Sequence, residues 1–70
     1  MNPAAQAIYH EVMRELWREG EAARLIAGNE YRFLYTDFGT EITRDGAFLC
    51  EITQNWELEE LLCGIVPESV

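Results

Sequence analysis

The side chain best suited to acid–base or metal chemistry is His10, the only histidine in the chain. Glu11 and Glu15 are close to it in sequence, so a general base and a metal ligand are the two roles to consider. On a helix His10 points away from Glu15, and no second histidine or nearby cysteine completes a set of ligands. We therefore expect His10 to be an ordinary surface side chain.

Two cysteines and one acidic triplet are the other candidates for chemistry. Cys50 and Cys63 lack CxxC spacing and a companion pair of histidines, so we expect reduced thiols packed in the core. Asp37-Phe38-Gly39 spells the metal-binding triplet of protein kinases, but the other kinase motifs are missing, and a turn closed by glycine explains it. With no catalytic pairing and no phosphate loop, we expect a protein that is not an enzyme and needs no cofactor or metal.

The charge of the chain narrows the choice of partners. Thirteen carboxylates against five arginines give a net charge of −8 on 70 residues. Direct binding of nucleic acid or an anionic membrane is disfavoured, because both require a basic surface. No signal-peptide pattern opens the chain, and no apolar run approaches the length of about 18 residues that spans a membrane. We predict a cytoplasmic protein with a basic protein surface as its partner.

A chain of 70 residues forms a single domain, residues 1–70. Its first part predicts one long helix. Asn2 is a good N-cap and Pro3 suits the first helical position. Apolar residues recur at spacings of three and four, which favours a helix to about Ala27, closed by Gly28. Gly20 interrupts this pattern, so the helix either runs through, with a kink, or breaks there and restarts. We favour the continuous helix.

Residues 31–53 predict a three-stranded antiparallel meander. Its first strand, 31–36, alternates so that Tyr31, Phe33 and Tyr35 share the buried face. A short second strand follows at 41–43.

The loop before the third strand decides which side chains are buried. A two-residue loop would pair Ile42 with Leu49, whereas a three-residue loop at 44–46 pairs Ile42 with Phe48. We choose the longer loop because it separates an apolar face from a polar one. The apolar face is then Ile42, Phe48, Cys50 and Ile52, and the polar face is Glu41, Thr43 and Glu51.

A short acidic helix closes the predicted fold. It begins at Asn55 or two residues earlier at Thr53, ends at Gly64, and cannot continue through Pro67. Its buried positions are Leu58, Leu61, Leu62 and Ile65. The predicted fold is α+β with the order α-β-β-β-α, a three-stranded antiparallel sheet packed against a long N-terminal helix and a short C-terminal helix.

Two surfaces are candidates for binding a partner. The first is a carboxylate array that imitates phosphates and docks on an arginine- or lysine-rich groove, although the same charges also keep a protein soluble. Its residues are Glu41, Asp45, Glu51, Glu57, Glu59 and Glu60. The alternative is the aromatic helix row Tyr9, Met13 and Trp17, which predicts an adaptor, an assembly subunit or a homodimer, unless these side chains fill the core.

In length, acidity and α+β layout the chain resembles phage-encoded anti-CRISPR proteins and other DNA mimics. The resemblance covers the whole chain as size and charge, and no motif carries it. It implies a stoichiometric inhibitor of a bacterial defence complex or another DNA-binding complex, with no chemistry of its own.

Overall fold

The computed structural model describes residues 2–68 and has two helices flanking four strands. The elements are α1 (Pro3–Glu19), β1 (Glu21–Ile26), β2 (Asn29–Thr36), β3 (Gly39–Arg44), β4 (Ala47–Ile52) and α2 (Asn55–Ile65). The strands form one antiparallel sheet in the order β1-β2-β3-β4. The fold is therefore α+β, but the predicted α-β-β-β-α order with a three-stranded sheet is wrong.

The extra strand comes from the segment that was predicted to continue the first helix. Gly20 adopts a left-handed conformation, with φ of 79°, and its N–H closes α1 on the carbonyl of Leu16 at 3.0 Å. The carbonyl of Gly20 then accepts a hydrogen bond of 2.9 Å from the N–H of Tyr35. Residues 21–26 pair along their length with β2, which outweighs their helix-forming composition. The prediction of one helix to about Ala27 is wrong.

The turn between β3 and β4 contains two residues, not the three that the sequence predicted. Asp45 and Gly46 have φ angles of 51° and 87°, the positive pair that a type I′ hairpin turn requires. The Asp45 carboxylate also accepts a hydrogen bond of 2.8 Å from the N–H of Glu30, which ties this turn to the β1–β2 hairpin.

A β-bulge after this turn restores the predicted polarity of the sheet. Thr43 lies opposite Phe48, but the next pair is Ile42 with Cys50, so Leu49 is the extra residue. The bulge keeps Ile42, Cys50 and Ile52 on one face, as predicted. It also turns Phe48 to the other face, where 65% of the side chain is exposed, so its predicted burial is wrong.

Both helices pack on the same face of the sheet and leave the other face open. Helix α1 contacts β1 and β2, and α2 contacts β4 and α1. The core between them is Ala5, Val12, Leu16, Ala22, Ile26, Tyr31, Phe33, Ile42, Ile52, Leu58, Leu62 and Val66. Tyr35, predicted to share the buried face with Tyr31 and Phe33, is exposed at the edge of this core.

The two helices run antiparallel and are joined at one end by Asn2. Its side-chain oxygen caps α1 through the N–H of Ala5 at 3.2 Å, and its amide nitrogen donates to the carbonyl of Val66 at 2.8 Å. At the other end, α2 begins at Asn55, where a carboxylate oxygen of Glu57 accepts the N–H of Gln54 at 3.0 Å. The N-cap is Gln54, one residue from the predicted Asn55, and the helix ends at Ile65, beyond the predicted Gly64.

Candidate functional site

A row of three carboxylates crosses the open face of the sheet. Cross-strand pairing places Glu21 opposite Leu34, Leu34 opposite Glu41, and Glu41 opposite Glu51. Adjacent strands are about 4.8 Å apart, so Glu41 and Glu51 are immediate neighbours of like charge. Within residues 2–68 neither carboxylate forms an ion pair; the Thr36 hydroxyl is 3.5 Å from Glu51. We call Glu21, Leu34, Glu41 and Glu51 the acidic row.

A groove of about 360 Å³ adjoins the acidic row. The carboxylates that line it are Glu15, Glu19, Glu21 and Glu41. Ala23 and Leu34 add an apolar surface, and Arg32 is the one cation in the lining. Apolar surface bordered by carboxylates is suited to the aliphatic stem and charged head of an arginine or lysine side chain.

The remaining carboxylates that the sequence predicted for partner binding lie elsewhere. Glu57, Glu59 and Glu60 belong to α2, which packs on the opposite face of the sheet from the acidic row. Glu57 is also engaged in capping its own helix. Asp45 is in the β3–β4 turn and bonds to the β1–β2 hairpin. The structure thus brings together Glu41 and Glu51 and separates the other four from them.

The alternative interface Tyr9, Met13 and Trp17 is only partly exposed. Tyr9 and Met13 are half-buried against the core, and burial, followed by the nearby Glu59, raises the pKa of the Tyr9 hydroxyl. Trp17 is 77% exposed and lies near the end of α1, at the end of the molecule where α2 begins. Exposed Phe38, in the β2–β3 turn, is at this same end.

An ion-pair cluster that the sequence reasoning did not find joins β1 to α1. Arg24 contacts the carboxylate of Glu15 and, at 3.4 Å, that of Glu11. The hydrogen bond to Arg24 lowers the pKa of Glu15, and the same contact raises the pKa of Arg24. Because residues 21–26 were assigned to a helix, nothing in the sequence pattern indicated this contact or the place of Glu21 in the acidic row.

The two cysteines occupy different environments. Cys50 is half-buried, and burial, with a smaller contribution from Glu57, raises the pKa of its thiol. Cys63 is exposed on α2, so the expectation that both thiols lie in the core is wrong for Cys63. His10 is exposed, with its ring edge-on to that of Tyr9 at a centroid distance of 5.4 Å. Among residues 2–68 no three His, Cys, Asp or Glu side chains are grouped to hold a metal ion.

Comparisons with protein-family models, with curated proteins and with solved structures find no match to this chain. Neither of the two helices in the described part of the chain is long and apolar enough to cross a membrane.

Proposed function

We propose that the protein is a small non-enzymatic inhibitor whose open sheet face docks on the basic, nucleic-acid-binding surface of another protein. The observation that carries this proposal is the Glu41–Glu51 pair, in which two carboxylates face each other across neighbouring strands. Like charges in that position lower the stability of a sheet. Departures from favourable local arrangements concentrate at functional sites, where binding a cation removes the repulsion.

The surroundings of the pair suit a basic protein partner. Glu21 extends the line of charge across the sheet, and exposed Leu34 and Phe48 add apolar contact area beside it. The net charge of −8 would accelerate association with a positively charged groove and make it sensitive to salt. By occupying that groove the protein would exclude the nucleic acid. The proposed target is a bacterial defence complex of the CRISPR type, or another DNA-binding complex, in the cytoplasm.

The test is capture of partners from a bacterial lysate at low and high salt, followed by displacement of labelled DNA from the captured protein. Wild-type protein should displace the DNA, and the double variant Glu41→Lys, Glu51→Lys should lose affinity by about tenfold or more. The control Asp37→Lys, Glu68→Lys changes the net charge equally at exposed positions outside the strands and outside both grooves. Equal loss in both variants, or no loss in the first, would contradict the proposal.

A second candidate function is an adaptor or assembly subunit that binds through the end of α1. The observation that favours it is the exposure of Trp17, because tryptophan is enriched among the residues that dominate protein–protein binding energy. Such binding would be largely insensitive to salt and would be lost in Trp17→Ser. A partner retained at high salt by the Glu41→Lys, Glu51→Lys variant and lost by Trp17→Ser would favour this function over the first.

A further inference from the structure

A second groove runs between the edge strand β4 and helix α2, on the side of the sheet away from the acidic row. Its volume is about 560 Å³, and it is shallow and open to solvent along its length. The apolar lining is Cys50, Ile52, Trp56, Leu61 and Ile65. Trp56 is 62% exposed, although tryptophan is among the most costly side chains to leave in water. We call this the β4–α2 groove.

Gly64 lines the β4–α2 groove, and no neighbour among residues 2–68 accounts for a glycine there. It lies inside α2, where glycine lowers helix stability by about 1 kcal/mol relative to alanine. The other four of the five glycines have positive φ angles, and Gly64 does not. A β-carbon added at Gly64 would meet no atom within 4 Å. The missing side chain leaves room for a group that approaches the helix from outside the chain.

The charge of the groove indicates what kind of group that is. Glu57 and Glu60 border the apolar lining, and α2 contains no basic residue. A second copy of the chain is disfavoured, because a two-fold interface would place the same glutamates against each other. An apolar segment that also carries lysine or arginine complements both the apolar lining and the bordering glutamates.

We propose that the β4–α2 groove binds an amphipathic helical segment of a partner protein, with apolar residues against Trp56, Leu61 and Ile65, a basic residue at Glu60, and a close approach at Gly64. Glu57, Glu60, Leu61, Gly64 and Ile65 follow one another at helical spacings along α2. They therefore form one stripe, against which a second helix can pack side by side. This site is separate from the open face and does not depend on the function proposed for it.

The test uses two synthetic helical peptides, one built of leucine and lysine and the other of leucine and glutamate in the same pattern. Trp17→Phe protein serves as background, because it leaves Trp56 as the only tryptophan. The lysine peptide should shift the Trp56 emission to shorter wavelength in a saturable titration. The glutamate peptide should not. No shift with the lysine peptide, or an equal shift with both, would overturn the proposal.

Variants at Gly64 locate the binding site. Gly64→Leu fills the groove in the same background and should abolish the shift, while the helix should gain stability in thermal unfolding. Cys63→Leu places the same side chain at a neighbouring exposed position of α2 and should bind as the background does. Peptide binding that persists in Gly64→Leu would overturn the proposal.

A charge variant keeps the test informative if Gly64→Leu does not fold. Glu60 is exposed, so Glu60→Lys should fold, and we expect it to weaken the lysine peptide about threefold to tenfold. Glu19→Lys makes the same change in net charge on α1, away from this groove, and should have a smaller effect. Equal weakening by the two variants would mean that the peptide binds only through overall charge, and would overturn the proposal.

Discussion

The carboxylates of Glu41 and Glu51 lie directly opposite each other on neighbouring strands, where like charges lower stability. Glu51→Lys would replace this repulsion by attraction. We expect the free energy of unfolding to rise by about 0.5–1 kcal/mol in urea denaturation at low salt. The gain should shrink in about 1 M salt, where exposed charges are screened over a few ångströms.

Glu68→Lys is the control for this variant, because it makes the same change in net charge at an exposed position outside the sheet. It should alter stability less than Glu51→Lys does. A stabilised variant that also fails to bind the partner would show that the pair is retained for binding at the expense of stability. A loss of stability in Glu51→Lys would mean that the two carboxylates do not repel each other.

The contact between Arg24 and Glu15 makes the stability of α1 against β1 depend on pH. The pKa of Glu15 is lowered in the folded state, mainly by the hydrogen bond from Arg24. This contribution to stability is therefore present above the pKa of an unfolded glutamate, about 4.3, and is lost as the pH falls through the lowered value. Arg24→Gln should reduce the midpoint of thermal unfolding at pH 7, and wild type and variant should converge in acid.

Arg14→Gln is the matched control, because Arg14 is exposed on α1 and makes no ion pair among residues 2–68. The midpoint of thermal unfolding of Arg14→Gln should differ little from that of wild type at every pH. If the difference caused by Arg24→Gln grew as the pH fell, the assignment of the lowered pKa to Arg24 would be wrong.

Among the elements, β1 shows where sequence reasoning fails. Its residues 21–26 include glutamate, alanine, arginine and leucine, all good helix formers, so local preference favours continuing α1. The segment forms a strand instead, because it pairs with β2 and buries Ala22 and Ile26. Both interactions depend on residues distant in sequence. The N-cap at Asn2 could be predicted, and the start of α2 to within one residue, because each depends on signals within a few residues.

The part of the candidate site that depends on the alternation of apolar and polar residues along a strand could be predicted. Glu41 and Glu51 were placed together on the outward face, although the loop that led to this placement was wrong. The bulge at Leu49 compensated for the shorter turn. Glu21 could not be found, because its strand was read as helix. The β4–α2 groove could not be found either, since it depends on how the last helix packs on the last strand.

The end of α1 depends on the conformation of Gly20. Its left-handed backbone is unfavourable for residues with a β-carbon, although a β-carbon there would have no neighbour within 4 Å. Gly20→Ala should therefore lower the free energy of unfolding by about 1–2 kcal/mol through backbone strain alone. Gly20→Asn, which tolerates this conformation better, should lose less. Equal losses in urea denaturation would indicate another cause.

At the scale of the whole molecule, the two faces of the sheet have different roles. One face is closed by both helices and contains the core. The other carries the acidic row together with exposed Leu34 and Phe48, and no described element covers it. A radius of gyration of 11.2 Å, close to the value of about 11 Å for a compact chain of this length, indicates that the open face is not a sign of loose packing.

The hydrogen bond between Asn2 and Val66 has a consequence for the order of events in folding. It joins residues 64 positions apart, whereas each strand pairs with the next across a short turn. Hairpins of this kind form in about 1–10 µs, and contacts between distant residues form later. We expect the sheet to form first and the hydrogen bond between Asn2 and Val66 to form last. Asn2→Ala should then speed unfolding about fivefold in stopped-flow experiments and leave the folding rate nearly unchanged. Slower folding of this variant would mean that the hydrogen bond forms before the sheet.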